Sequence, residues 1–405
     1  MTKMAKRMQG GATLPVFGKV LEGYNFPDVL SLGDGVPDKN TFPVTEMAEC
    51  AQATFKEALD DLAARADVFS YGANEGQAPL VEIFKKRYMK GGKYDIGDPE
   101  KDDLFIFAGA TQLVDICAKV YCDPGDVILC EENTYFGSLD AFRGYEVKCV
   151  GVKCDEDGFI PEALEEALKA NPTTKIIYTI DTFQNPMGIQ TSLERRQAIY
   201  DLAVKYDTMV LEDGPYFELR YSGQYIPSIK SLDKDGRVIF SGSMSKIISP
   251  GVRVGFGIGA KDVMAAIGAQ MGNMTMSSAG LMQQVVAKYF ANYDVDKHIQ
   301  DCCDLYRGKR DHMLEALERE LGGICTWTHP DGGLFIWITL PEGMSGEEVA
   351  VYMSQEKHVI LYPASIYRPD SADANAIRVN FSVPDFEQID ECIKRLGEAV
   401  KHFMK

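Results

Sequence analysis

Ser241-Gly242-Ser243-Met244-Ser245-Lys246-Ile247-Ile248-Ser249-Pro250-Gly251-Val252-Arg253-Val254-Gly255 is the stretch on which the reading of this chain turns. It joins two short apolar runs, Val238 to Ser241 and Val254 to Ile258, and sets one lysine between a hydroxyl cluster and an arginine. A lysine is by default a surface charge. Here Ser243 and Ser245 flank it with hydroxyls, and Arg253 can form a charge-assisted pair with a phosphate. Desolvation and a nearby cation would lower the pKa of Lys246, as an amine that condenses with a phosphorylated aldehyde requires.

Outward from this stretch, strand-like runs alternate with helical patterns. The strand candidates are Leu104 to Ala108, Val127 to Cys130, Val147 to Val152, Lys175 to Ile180, Thr208 to Leu211, Val238 to Ser241 and Val254 to Ile258. Each is short, bounded by Gly, Pro, Asp or Asn, and apolar on both alternations, as in strands covered on both faces. Helical stretches such as Gln112 to Tyr121 and Leu193 to Tyr206 lie between them, the latter with Ser192 as its N-cap. This alternation predicts a mainly parallel α/β sheet of seven strands flanked by helices, with its ligand site at the carboxyl ends of the strands. After Ser278 the pattern changes to one long helical stretch through about Leu321, strand-like Leu334 to Thr339, Val359 to Tyr362 and Ile377 to Phe381, and a helix from Phe386 to Phe403. A smaller α+β domain is expected there. The boundaries are read as 46–290 for the large domain, and 1–45 with 291–405 for an extended N-terminal arm and the small domain.

Polar residues with chemical potential fall at the ends of the strand candidates. Gly109-Ala110-Thr111-Gln112 opens a helix whose N-terminal N–H groups can bind phosphate. Tyr135 follows Val127 to Cys130, where its ring can stack on a planar group or pack in the core. Asn185, in Asn185-Pro186-Met187-Gly188, can donate to a phenolate-like oxygen, and Tyr216 can add a second hydrogen bond. Asp213 can keep a pyridine nitrogen protonated, which makes the ring an electron sink. Aldehyde, phosphate and pyridine together point to pyridoxal 5′-phosphate, with Lys246, Asp213 and Tyr135 as candidate residues around it.

Composition narrows the partners. A formal charge of −18 over 405 residues argues against nucleic acid or an anionic membrane. The N-terminus is basic but leads into Gly10-Gly11 without an apolar stretch, so a signal peptide is not expected. The 10 cysteines lack zinc-site spacing and mostly sit in apolar runs, so no metal is expected and a reducing cytoplasm fits.

The order of these motifs resembles that of the class I/II aminotransferases of the PLP fold-type I superfamily, most closely the branch of 2-aminoadipate, kynurenine and aromatic aminotransferases. The residues that carry the resemblance are Gln184-Asn185-Pro186-Met187-Gly188, Asp213-Gly214-Pro215-Tyr216, and the lysine stretch itself. Phe69-Ser70-Tyr71-Gly72 with Gly76, Pro330 to Trp337 and Arg378-Val379-Asn380-Phe381 match less strongly. The resemblance implies transamination between an L-amino acid and a 2-oxo acid, 2-oxoglutarate being the expected acceptor, with Lys246 as Schiff-base lysine and proton carrier. It implies phosphate contacts from Ala110, Thr111, Ser243, Ser245 and Arg253, ring contacts from Asn185, Asp213, Tyr216 and Tyr135, and a substrate carboxylate site at Arg378 with Gly35 and Asn185 nearby. It also implies a homodimer in which Tyr71 reaches the neighbouring subunit's phosphate site. Val81, Asn133 and Ala110-Thr111 depart from the usual pattern without removing a catalytic group. A carbon–sulfur lyase shares every contact named, and a non-catalytic PLP-sensing module shares the fold.

Overall fold

The computed structural model describes residue 5 and residues 14–404. The basic N-terminal start, apart from residue 5, therefore lies outside the described residues. The seven expected strands are all present and form one sheet: β1 (Asp102–Phe107), β2 (Val127–Glu131), β3 (Lys148–Val152), β4 (Thr174–Thr179), β5 (Met209–Gly214), β6 (Val238–Ser243) and β7 (Gly255–Ala260), in the order β1-β7-β6-β5-β4-β2-β3. All pairings are parallel except those of β7, which runs antiparallel to both β1 and β6.

Both faces of the sheet are covered. Ile128, Ile176, Tyr178, Leu211 and Ile239 pack on one side with Leu113, Leu139 and Met264 of helices Ala110–Tyr121, Phe136–Arg143 and Lys261–Thr275. Val127, Leu129, Ile177, Val210 and Val238 pack on the other with Leu164 and Ile199 of helices Pro161–Ala170 and Leu193–Lys205. Strand residues of alternating parity therefore meet opposite helix layers, which is why the strands read as continuous apolar runs.

The C-terminal part holds a four-stranded sheet of Thr326–Trp327, Phe335–Thr339, Ala376–Asn380 and Tyr362–Pro363, all antiparallel, with helices Gly346–Glu356 and Phe386–Phe403. Three expectations need correction. The long helical stretch after Ser278 is two helices, Gly280–Asn292 and Val295–Leu321, because Asp294 caps the second by accepting from the Lys297 N–H at 2.9 Å. The run Val359 to Tyr362 divides between two sheets: Val359–Ile360 pairs with Leu30–Ser31, and Tyr362–Pro363 pairs with Ala376–Asn380. The arm is not simply extended. Pro15–Leu21 is helical, starting on a proline whose missing N–H costs nothing at a helix start, and it buries Val16 and Val20. The Ser354 hydroxyl donates to the Val20 carbonyl at 2.6 Å, which ties the arm to Gly346–Glu356.

Candidate active site

The sheet brings the motifs to one edge. Residues following β1, β2, β4 and β6 leave from carboxyl ends, and because β7 runs antiparallel its start lies at that same edge. Arg253, just ahead of β7, thus meets Gly109, just after β1. The close approach needs glycine on both sides. A Cβ on Gly255 would come within 2.7 Å of the Ala110 backbone nitrogen, and one on Gly109, at φ +90°, would run into the Arg253 guanidinium. Arg253 donates to the Ala108 carbonyl at 2.7 Å and stands beside the N-terminus of Ala110–Tyr121. The N–H groups of the first turn have no helical partner there.

A cavity of about 320 Å³ opens at this edge, lined by Ala110, Thr111, Tyr135, Asn185, Asp213, Tyr216, Ser243, Ser245, Lys246, Arg253, Gly35 and Arg378. Every site residue expected from the sequence is among them except Tyr71, which is 80% exposed on the surface. Three nearby aromatic residues differ in their surroundings: Tyr24 bonds Asp34, Phe26 stacks on His358 at 3.9 Å, and Tyr367 is buried with its ring 5.1 Å from the Arg378 guanidinium.

Asp213 lies at the end of β5 and is buried. Its Oδ2 accepts from the Tyr178 hydroxyl at 2.9 Å, and Tyr178 in turn meets the Ser138 hydroxyl at 2.8 Å. Its Oδ1 completes no hydrogen bond among the described residues, although the Ser241 hydroxyl, opposite it on β6, stands close enough to favour the charged carboxylate. Burial pushes the Asp213 carboxyl up to about 6, against the pull of the Tyr178 bond. Lys246, partly buried, donates to the Gly35 carbonyl at 2.6 Å, and burial, Arg378 and Arg253 lower its pKa to about 8. Arg378 is 2% exposed. It donates to Asn185 Oδ1 at 3.0 Å and to the Gly33 carbonyl, and its guanidinium lies 4.1 Å from the Phe335 ring. Among the described residues no carboxylate pairs with it, and its Nε has no acceptor.

These open valences fit the cofactor. An unpartnered buried oxygen on Asp213 suits a protonated ring nitrogen, an amine with a lowered pKa suits an aldehyde, and a helix N-terminus with Arg253 suits a phosphate. Tyr135 stands over the site because Gly137, two residues on, has no Cβ to strike its ring.

Comparisons with known proteins give the family. Residues 27–396 match the family model described as aminotransferase class I and II. The chain belongs to the class I/II aminotransferases. This aminotransferase is 36% identical over 382 residues to aromatic-amino-acid aminotransferase 1 of Thermococcus litoralis, covering 93% of this chain and 89% of that one. It is 30% identical to the 2-aminoadipate transaminase of Thermus thermophilus, covering 93% and 91%. The crystal structure of the Pyrococcus horikoshii kynurenine aminotransferase, in complex with PMP, superimposes with a TM-score of 0.90 at 33% identity over 99% of this chain and 98% of that one. The chain is therefore a PLP-dependent transaminase of fold type I in the branch expected. The lyase and sensor readings give way.

Several lining residues had no signal in the sequence: Asp34, Val36, Phe136, Ile180 and Tyr362. The same holds for Glu131, a buried carboxylate at the end of β2. It accepts from Thr134 Oγ1 at 2.9 Å, Thr179 Oγ1 at 2.8 Å and the Ile180 N–H at 2.7 Å, locking the loop that carries Tyr135 against β4. Burial raises its carboxyl to about 7.

Proposed function

We infer that this aminotransferase binds an L-amino acid by its α-carboxylate at Arg378, takes the α-proton on Lys246, and returns the amino group to a 2-oxo acid in a second half-reaction. The bound cofactor supplies an aldehyde and an electron-withdrawing ring; the protein does the rest. Asp213, with one oxygen bonded by Tyr178, would keep a bound ring nitrogen charged. Asn185 and Tyr216 would hydrogen-bond the ring oxygen, and Tyr135 would pack on the ring. Ser243, Ser245, Arg253 and the N–H groups of Ala110 and Thr111 would hold the phosphate. Lys246 reaches substrate from the Gly35 side, and the carbonyl of Gly35 orients its amine.

The observation that carries this reading is that Lys246, Asp213 and Arg378 come from three separate segments into one cavity, Asp213 Oδ1 and Arg378 Nε without a hydrogen bond among the described residues. An absorbance scan of the holoenzyme with single amino acids tests it. Bleaching of the bound cofactor by some of them, reversed by a 2-oxo acid, is the expected result. A spectrum unchanged by every amino acid would overturn it.

The division into a domain of residues 46–290 and a second of 1–45 with 291–405 belongs to the same reading, as does a homodimer with shared sites. Tyr71 is supported as a residue that serves a partner by its exposure outside its own cavity, on a surface that also exposes Leu59, Leu62 and Phe69. Ten free thiols support a cytoplasmic location. Among the described residues no helix is long and apolar enough to cross a membrane.

A further inference from the structure

Resting on the transaminase reading, a further residue sets the aim of Asn185. The loop from the end of β4 to helix Leu193–Lys205 carries Asn185 and closes on itself. The Thr191 N–H donates to the Asp181 carbonyl at 2.8 Å, the Gln184 N–H to the Ile189 carbonyl at 2.9 Å, and the Gly188 N–H to the Gln184 carbonyl at 2.6 Å. Gln184 Nε2 also donates to the Asn133 carbonyl at 2.6 Å. Asn185 itself works in two directions: its Oδ1 accepts from Arg378 at 3.0 Å, which turns its amide nitrogen toward the Tyr216 hydroxyl.

Phe183, two residues earlier, is under strain. Its φ is +53°, a left-handed backbone that a bulky side chain seldom adopts and that persists only where the surroundings impose it. Here the surroundings act through the ring, which is fully buried in a slot left open by two glycines. A Cβ on Gly332 would run into the ring, and one on Gly333, itself at φ +72°, would come within 2.7 Å of the Phe183 Cβ. The Arg220 guanidinium lies 4.7 Å from the ring centre and donates to Gln190 Oε1, in the same loop, at 2.7 Å. The glycine segment continues into Phe335, whose ring lies 4.1 Å from the Arg378 guanidinium. A second point of contact follows there, because a Cβ on Gly188 would come within 2.5 Å of the Phe335 carbonyl oxygen. Residues 181–191 and 330–335 thus interlock twice, and each segment gives Arg378 one contact.

We propose that Phe183 is a positioning residue: its ring, seated against Gly332 and Gly333, holds the strained turn that aims the Asn185 amide at the cofactor ring oxygen and Asn185 Oδ1 at Arg378. A smaller side chain leaves the slot part empty, so nothing holds φ positive and the turn relaxes, carrying Asn185 with it.

A pH titration of the absorbance of bound cofactor, in the holoenzyme without substrate, tests the first aim. A donor to the ring oxygen stabilises its negative charge and makes the neighbouring proton easier to lose, so withdrawing that donor raises the midpoint. Phe183→Leu is expected to raise it by about half a unit, in the direction of Asn185→Ala, and to add nothing once Asn185→Ala is present. Arg220→Gln, at the partly exposed side of the ring, is expected to give a smaller rise and carries the test if Phe183→Leu does not fold. Calorimetry of the holoenzyme with 3-phenylpropanoate, an acid with no amine to react, tests the second aim. Its Kd is expected to rise about fivefold in Phe183→Leu. A midpoint and a Kd unchanged in both variants, or shifts that simply add to those of Asn185→Ala, would make Phe183 a packing residue and overturn the proposal. A bound cofactor whose spectrum no amino acid alters, with the midpoint still shifting in Phe183→Leu, would overturn the transaminase reading instead and leave the role of Phe183 standing.

Discussion

Arg196 and Arg378 are the two largest fully buried side chains, and their surroundings differ completely. Arg196 pairs with Asp181 at 2.7 Å and donates to the carbonyls of Thr191, Pro227 and Asp181, each at 3.0 Å, and to Thr182 Oγ1 at 2.7 Å. Arg378 has two acceptors of its own chain, no carboxylate and an idle Nε. The same contrast divides two neighbours on β5. Glu212 spends both oxygens on the N–H groups of Ile229 and Lys230, at 3.0 and 2.8 Å, whereas Asp213 keeps Oδ1 open. Burying charge is expensive, and a fold that saturates it in one place and leaves it hungry a few residues away has prepared the second place for something else. Saturated groups hold the structure together. Asp213 Oδ1 and Arg378 Nε, both without a hydrogen bond among the described residues, belong to residues that line the cavity.

The contrast breaks if variants of the two sets fail alike. Asp213→Ala should lower kcat about a thousandfold, some 4 kcal/mol of barrier, while the protein stays folded and still takes up cofactor. Parent-like turnover in steady-state kinetics would remove Asp213 from the mechanism. Arg196→Met should act on stability, stranding Asp181 in the interior at a loss of about 3–5 kcal/mol, read by chemical denaturation. A variant as stable as the parent would show that the saturated network is dispensable. Tyr178→Phe removes one donor from Asp213 without changing shape, and a loss of about 1 kcal/mol, seen as a several-fold drop in kcat, is expected. The smallest effect concerns protons. Capture of cofactor by the apoprotein needs the neutral amine of Lys246, and its pKa, lowered to about 8, means that the capture rate rises with pH and levels off above that value. Stopped-flow absorbance would follow it, and a rate still climbing at the pH where an ordinary lysine titrates would contradict the lowered pKa.

The saturated half of this molecule was the harder to read. Strands β1, β2 and β4 to β7 announce themselves because burial on both faces writes continuous apolar runs, the edge strand β3 being only partly buried, and the active polar residues cluster at one end of those runs. Lys246 was legible through Ser243, Ser245 and Arg253, all within a few positions. Arg378, and Arg196 beside Arg195, carry no local signal in the sequence, and only the resemblance singled out Arg378. Asp34, Tyr362 and Glu131 left no trace, because what makes them matter is contact across long chain separations: Gly33 with Arg378, Gly35 with Lys246, Glu131 with Ile180. The helix boundary at Asp294 was hidden for a different reason. Both flanks carry a helical period, and one cap residue does not interrupt it.

One measurement bears most directly on the claim that Arg378 is left unpaired for a substrate: kcat/KM of Arg378→Lys with the best amino acid donor, with the thermal midpoint taken on the same sample. Lysine keeps the charge and loses the fork, so kcat/KM is expected to fall about a hundredfold while the midpoint stays near that of the parent. An unchanged kcat/KM, or a loss explained entirely by a lower midpoint, would make Arg378 a structural arginine like Arg196.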